Sequence, residues 1–480
     1  ALFEKVRDVC ARFLNVPPES ITPQKRLVEF LQLDSLGLVA LLAHFQEVFR
    51  VSLRDVDLAT LRDFSAVCHL IMRKGNWEEL CDLKTAGLTS DAMPPLLDYS
   101  EDGIKRRRKF LKNRHGIDPS VFGQVANADD LNGNIEGFVG YSMVPIGIAG
   151  PLKVNGEYAR GDFFLPLATT EGALVSSIAR GTQIITMSGG ARTRVLADSL
   201  VRAPVFLFST LDELASFKTW IDANLDLIRE AAEKTTRHGK LLDIENYPMG
   251  TTMCLRFVYS TADASGQNMT TIATHAAMDY IKKAFPGKMV DCFLEANMSG
   301  DKKVNGLNFT RNRGKRVLAE VLIPRDVVEK HLHTTPERIA RLSQLAMVSS
   351  LHAHSFGSQA HYANVLAAVF IATGNDAACV AESAVGVTTF TVEGNDLQAT
   401  VTLPGLMIGT VGGGTRLPTQ QTCLEIMDCA GPRKAKKFAE ILAAGVLAGE
   451  ISLTAAMAAD EFATAHARYG RKLPGTEPKR

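Results

Sequence analysis

Residues 204–209 read Pro204-Val205-Phe206-Leu207-Phe208-Ser209, an apolar run with the length of one β-strand. The next segment changes period. Leu214, Phe217, Ile221, Leu225 and Ile228 recur three or four residues apart across 211–232, the spacing of one helix face. Residues 241–244 and 252–259 return to strand-like composition, 269–284 is helical in pattern, and 289–294 closes with another strand. The order βαββαβ is that of a ferredoxin-like split βαβ unit. Residues 204–294 are therefore expected to form a small α+β domain inserted into a larger, helix-rich one. That larger domain takes residues 101–203 and 295–480, where helical stretches alternate with glycine-punctuated loops.

Upstream, residues 1–77 carry a different pattern. Leu2, Val6, Val9 and Phe13 form one helical stripe, and Pro17-Pro18 ends it. Leu38, Leu42, Phe45 and Phe49 form a second; Leu58, Leu61, Phe64, Val67 and Ile71 form a third. Three or four helices of this length make a small bundle. Residues 78–100, with Pro94-Pro95 and mixed charge, read as a linker. Lys105-Arg106-Arg107-Arg108-Lys109 then reads as a solvated helix face, with phosphate docking as the alternative.

At 480 residues the chain is too long for one core, and its 46% apolar and 22% charged residues are ordinary globular composition. The 53 basic and 52 acidic residues nearly cancel, which excludes bulk attraction to nucleic acid or an anionic membrane. No apolar stretch is expected to reach the length needed to cross a bilayer, and Ala1-Leu2-Phe3-Glu4-Lys5 does not read as a signal peptide. The chain starts on alanine, as expected of a piece of a longer one. Eight scattered cysteines without a C-x-x-C pair are expected to be reduced thiols in the cytoplasm. His331/His333 and His352/His354 are spaced so that they diverge on a helix, so no metal site is expected.

Within the first segment, Leu33-Asp34-Ser35-Leu36 stands at the expected start of the second helix. Unpaired N–H groups and the positive dipole end there suit a phosphodiester on Ser35. Taken alone, Asp34 or Ser35 reads more readily as an N-cap. With the apolar stripes and the segment length, residues 1–75 resemble the acyl carrier protein family. That resemblance implies a phosphopantetheine arm on Ser35, attached by a phosphopantetheinyl transferase and carrying an acyl thioester.

Four further residues have complementary chemistry. Glu171 follows Thr169-Thr170, Lys302 sits in Asp301-Lys302-Lys303, Asp376 lies in Gly374-Asn375-Asp376-Ala377-Ala378, and His466 comes near the C-terminus. Reducing a thioester to an alcohol takes two hydrides, through a hemithioacetal and an aldehyde. Negative charge grows on the carbonyl oxygen, a thiolate must leave, and the aldehyde oxygen needs a proton. A cation, an acid, an orienting carboxylate and a mobile histidine cover those steps. Each alone has a plainer reading: cap, surface ammonium, cap, inert terminal side chain.

The flanking motifs are more specific. Ile135-Glu136-Gly137-Phe138-Val139-Gly140-Tyr141 runs on to Pro145-Ile146-Gly147-Ile148-Ala149-Gly150-Pro151-Leu152. Val195-Leu196-Ala197-Asp198, Arg202 before Ala203-Pro204, and Ile408-Gly409-Thr410-Val411-Gly412-Gly413-Gly414-Thr415 follow. With the tetrad, these resemble the 3-hydroxy-3-methylglutaryl-CoA (HMG-CoA) reductase family over most of residues 101–476. The resemblance implies that Lys302 polarises the carbonyl, Glu171 supplies its proton, Asp376 holds those two in a shared network and His466 protonates the departing thiolate. His361 and Asn364 match supporting polar positions; with Arg202, Asp301 and Lys303 they are the substrate-binding candidates.

The inserted α+β unit corresponds to the family's dinucleotide-binding domain. Asp263, Gly266 and Asn268, in Asp-Ala-Ser-Gly-Gln-Asn, match a loop whose glycine lets backbone N–H groups approach a pyrophosphate. Gly412 and Gly413 are further cofactor candidates. Arg237 and Arg471 match positions that meet a 2′-phosphate, which implies NADPH. Without a G-x-G-x-x-G after a strand, a Rossmann fold is not expected.

Some positions depart from the family. Gln344 stands where a lysine pairs with the substrate's free carboxylate, Glu295 where a serine lies near it, and His238 where an aromatic partner for adenine is common. Lys472 replaces a regulatory phosphoserine of animal members. The resemblance implies a homodimer or larger, since the family's active site lies between subunits. The substrate is then HMG-CoA or an acyl group on the fused carrier. The alternatives are reductive release of a polyketide- or fatty-acid-type chain delivered by upstream synthase modules, and a non-catalytic carrier scaffold.

Overall fold

Two units make up the chain, residues 1–119 with 324–335 and residues 120–323 with 336–480. The computed structural model describes residues 2–14, 18–22, 45, 64–74, 101–121, 131, 133–135 and 141–461. In the first unit, helices α1 (Leu2–Leu14) and α2 (Phe64–Lys74) bury Val6, Val9, Cys10, Phe64, Val67 and Ile71. Phe3 meets Phe64 edge-on with ring centroids 5.4 Å apart, the arrangement that aromatic quadrupoles favour. Helix α3 (Glu101–His115) buries Phe110 and Leu111 and exposes Lys105, Arg108 and Lys109, so the basic run is largely a solvated face. Ser35 lies outside the described residues.

The second unit opens with an antiparallel hairpin, β1 (Ile146–Asn155) and β2 (Arg160–Ala168), followed by α4 (Leu174–Met187). Strand β3 (Arg192–Arg202) leads into β4 (Val205–Leu207), α5 (Leu211–Ala223), α6 (Leu225–Glu233), β5 (Lys240–Met249), β6 (Thr252–Ser260), α7 (Gln267–Ala284) and β7 (Asp291–Phe293). The single helix expected over 211–232 is two, because Asn224 leaves helical geometry at φ −116° and ψ 18°. Antiparallel pairing places these strands in the order β7-β4-β6-β5. Phe206, Phe217, Leu255, Phe257 and Ile281 lie in the core between this sheet and its helices.

Beyond β7 come β8 (Gly314–Ile323), α8 (Pro336–His352), β9 (Gly357–Ser358), α9 (Tyr362–Thr373), β10 (Gly386–Glu393), β11 (Asp396–Leu406), α10 (Pro418–Ile426) and α11 (Ala435–Ala458). The surrounding segments thus hold strands as well as helices. The inserted segment's sheet is also not closed on itself. Residues 192–199 of β3 pair with β8, and its last three residues pair with β6, so one strand belongs to both pairings and a nine-stranded sheet results. Arg202 is the residue where β3 ends.

Helix α11 corrects one sequence expectation. By length and composition it is apolar enough to cross a bilayer, yet 89% of its most apolar window is buried inside the unit. It also carries Glu440 and Glu450, both buried. The Glu440 carboxylate accepts the backbone N–H groups of Glu157, Tyr158 and Ala159, which ties the β1–β2 turn to the helix. Small residues let neighbours approach α11 closely. At Gly181 of α4, an added Cβ would lie 1.8 Å from the Ala448 carbonyl oxygen.

Helical Gly→Ala replacements ordinarily stabilise by up to about 1 kcal/mol. At Gly181 the obstacle is backbone, so Gly181→Ala is expected to destabilise by about 1–3 kcal/mol, as overpacking does. Urea unfolding of the variant reads this directly. A midpoint at or above wild type would contradict the close packing of α4 on α11.

Candidate active site

The loop after β7 carries Lys302, and its backbone is unusual. Lys302 sits at φ +58°, a left-handed conformation that non-glycine residues adopt only when their surroundings hold them there. The restraints are identifiable. The Lys302 N–H donates to Glu382 Oε1 at 3.1 Å, and the Lys303 N–H closes a turn on the Gly300 carbonyl at 3.1 Å. The Asp301 carboxylate accepts from Arg202 Nη1 at 2.8 Å and from Arg313 Nη2 at 2.5 Å.

Arg313 has no solvent exposure, nor has the side chain of Glu382. Arg313 Nε donates to Glu382 Oε2 at 2.6 Å and Nη1 donates to the Val201 carbonyl at 2.8 Å. Burial pushes the Glu382 carboxyl upward, while Arg313 pulls the other way. Burial also raises Asp301, but Arg313 and Arg202 outweigh it and hold that carboxyl below its ordinary value.

Lys302 Nζ lies 2.8 Å from Asp376 Oδ2, with both side chains partly exposed. The hydrogen bond to Asp376 raises the lysine's pKa against an opposing desolvation effect, so the ammonium stays charged. Asp376 Oδ1 meanwhile accepts the Ala378 N–H at 3.0 Å and caps the short turn Ala377–Cys379. Asp376 thus both caps that turn and pairs with Lys302.

Glu171 lies exposed in the turn between β2 and α4. Its N–H donates to Thr169 Oγ1, and both its carboxylate oxygens lie 3.0 Å from Asn364 Nδ2. Asn364 is in the first turn of α9, just after His361. Glu450 of α11 fixes that turn by accepting from the N–H groups of Ala360 and His361, from Thr388 Oγ1, and through a 3.0 Å bond with His361 Nδ1. Burial raises Glu450, but His361 and the other donors win and hold it low.

Among the described residues no hydrogen bond or ion pair joins Glu171 to Lys302 or Asp376. The acids are otherwise engaged: Glu171 with Asn364, and Asp376 with Lys302 and the Ala378 N–H.

Two glycine-rich loops recognised separately in the sequence come together. Thr410 N–H donates to the Asp263 carbonyl at 2.9 Å, and Ala264 bridges Val411. Gly409 N–H donates to Asn375 Oδ1 at 2.8 Å, beside Asp376. The 408–415 loop therefore connects the loop before α7 to the turn that bears Asp376. Gly266 begins α7 at φ +79° with no side-chain cap, and Gly412 and Gly413 have φ of +79° and +54° with open space around them. Exposed backbone N–H groups at a helix start and in glycine loops fit a pyrophosphate.

Asp263 also has a structural part within the unit. Its carboxylate accepts the N–H groups of Arg433 and Ala435, so it ties the loop to the start of α11. Asn268 is exposed in the first turn of α7, and Arg237 and His238 are exposed ahead of β5. Lys303 Nζ donates to the Asp301 carbonyl at 3.0 Å. Arg202 Nε donates to Thr271 Oγ1 at 2.8 Å, and its Nη1 lies 3.6 Å from Glu295 Oε2. Gln344 is exposed on α8. His466 and Arg471 lie outside the described residues.

Sequence reading missed Arg313, Glu382 and Glu450. A signal existed for two of them: an acid inside an apolar alanine-rich helix, as in Val380-Ala381-Glu382-Ser383 or around Glu450, needs a buried partner.

A family model for hydroxymethylglutaryl-coenzyme A reductase matches residues 103–471, and one for the phosphopantetheine attachment site matches residues 4–71. The chain is 43% identical over 407 residues to the 3-hydroxy-3-methylglutaryl-coenzyme A reductase of Methanocaldococcus jannaschii, covering 82% of this chain and 100% of that one. It is 46% identical over 375 residues to the Pyrococcus horikoshii protein of the same name, covering 76% and 91%. In fold it is similar to the class II enzyme of Streptococcus pneumoniae solved with NADPH. The TM-score is 0.60 at 19% identity, over 74% of this chain and 96% of that one. The chain therefore belongs to the hydroxymethylglutaryl-coenzyme A reductase family of oxidoreductases, with a phosphopantetheine-attachment domain at its N-terminal end.

Proposed function

We propose that the chain reduces an acyl thioester to the primary alcohol with two equivalents of NADPH, releasing a free thiol. The observation that carries this reading is the Lys302–Asp376 pair, 2.8 Å apart and partly open to solvent, on a backbone that buried charges restrain. NADPH supplies the hydrides, and the N-terminus of α7 with Gly412 and Gly413 would hold its pyrophosphate. Arg237 and Arg471 are assigned to its 2′-phosphate.

The raised pKa of Lys302 keeps a full positive charge where carbonyl oxygen develops negative charge. Glu171, oriented by Asn364, is the proton donor to that oxygen. His466 is assigned the proton that the departing thiolate takes. No hydrogen bond or ion pair joins Glu171 to Lys302 among the described residues, and a second copy is a natural source of further groups at the site. The exposed apolar Leu345, Val348 and Leu351 of α8 recur at three-residue spacing, as an interface between copies would. Ser35 is the proposed phosphopantetheine site, which calls for a phosphopantetheinyl transferase and permits delivery from a synthase. Free cysteines, seven among the described residues, suit a reducing cytoplasm.

Lys302→Ala is expected to lower thioester reduction by about 10²–10³, the usual loss for one oxyanion donor. Its NADPH affinity, read by fluorescence titration, should stay near wild type. Near-normal turnover would remove Lys302 from the mechanism. A second test is mass spectrometry after incubation with CoA and a phosphopantetheinyl transferase: wild type gains the arm and Ser35→Ala does not. An unmodified but folded wild type would overturn the carrier assignment.

A further inference from the structure

Four cations and four acids stand at and around Lys302: Arg202, Lys302 and Arg313 pair with Asp301, Glu295, Asp376 and Glu382, while Lys303 Nζ donates to the Asp301 backbone carbonyl. Three of these acids have clear duties. Asp301 and Glu382 hold Arg313, and Asp376 holds Lys302. Glu295 is the exception. Asp301 already pairs with Arg202 at 2.8 Å, whereas Glu295 Oε2 stands off at 3.6 Å.

Glu295 Oε2 is also a buried oxygen without a hydrogen-bond partner, while Oε1 accepts only the neighbouring Ala296 N–H. A buried acceptor left unmet is costly, and a donor arriving with a ligand would relieve it. Arg202 Nε is engaged by Thr271 and Nη1 by Asp301, so an anion approaching this guanidinium would arrive beside the resident Glu295 and Asp301 carboxylates. A glutaryl thioester brings a free carboxylate, so this corner would have to receive a third acid around one guanidinium.

Resting on the thioester-reductase reading, we propose that Glu295 determines substrate choice. It excludes acyl groups with a distal carboxylate and accepts a hydrogen bond from an uncharged, hydroxyl-bearing acyl thioester. The natural substrate class is then a hydroxyacyl thioester without a free acid, of the kind a carrier-borne chain presents. Glu295 does no proton transfer in this account; it acts by charge and by its vacant acceptor.

The test compares NADPH oxidation by the full chain on HMG-CoA and on 3-hydroxy-3-methylbutyryl-CoA, the same acyl group without the carboxylate. Wild type is expected to favour the uncharged thioester in kcat/KM by at least about tenfold, equivalent to about 1.4 kcal/mol. Glu295→Gln, which keeps shape and removes charge, should lower KM for HMG-CoA and shrink that ratio by about tenfold or more. Glu295→Asp, which keeps the charge, should retain the preference. A wild type that prefers HMG-CoA, or a ratio unmoved in an active Glu295→Gln, would overturn the assignment of Glu295 alone. Oxidation of NADPH with neither thioester would instead sink the reductase reading beneath it.

Discussion

A guanidinium with no water contact must have every strong donor aimed at an acceptor, and Arg313 imposes that condition on the whole site. Glu382 and Asp301 take two of its edges and the Val201 carbonyl takes a third. The same Glu382 accepts the Lys302 N–H. One buried cation therefore fixes the two residues around the Asp301–Lys302 peptide, and the left-handed turn at Lys302 follows from it. Such clusters owe their value less to net stability than to geometry, because desolvation offsets most of the attraction between buried charges. Losing one member would leave the others buried and unpaired.

Helix α11 does the corresponding work for the remaining parts. Glu450 gathers the turn before α9 and so places Asn364 against Glu171. Asp263 fastens the loop before α7 to the start of α11. The 408–415 loop then spans from that point to Asn375, next to Asp376. The candidate catalytic side chains, partly open to solvent, thus stand on supports that are not.

Much of this was legible from short stretches of sequence. The alternation of strand-like and helical runs across 204–294 follows the observed element order, because each element has its own period. Asn224 splitting a helix did not show, since the apolar spacing continues across it. That β3 serves two pairings is a tertiary fact, decided by β8 more than a hundred residues on. Lys302, Asp376 and Glu171 stood out through their local motifs. Their supports did not: Glu382 is 80 residues from Lys302, and Glu450 is 89 from His361. The structural role of Asp263 is hidden for the same reason, since it depends on N–H groups 170 and 172 residues away. Helix α11 passed unnoticed as a long apolar segment because Glu440 and Glu450 interrupt it, and those two acids are what anchor the loops.

The central claim is that Arg313 sets the position of Lys302, and Arg313→Lys tests it most directly. A lysine keeps the charge but cannot serve Glu382, Asp301 and the Val201 carbonyl at once. The decisive measurement is kcat for thioester reduction alongside NADPH affinity in the folded variant. A kcat lowered at least about tenfold (about 1.4 kcal/mol) with NADPH affinity near wild type is the predicted result. Wild-type kcat in that variant would contradict the account.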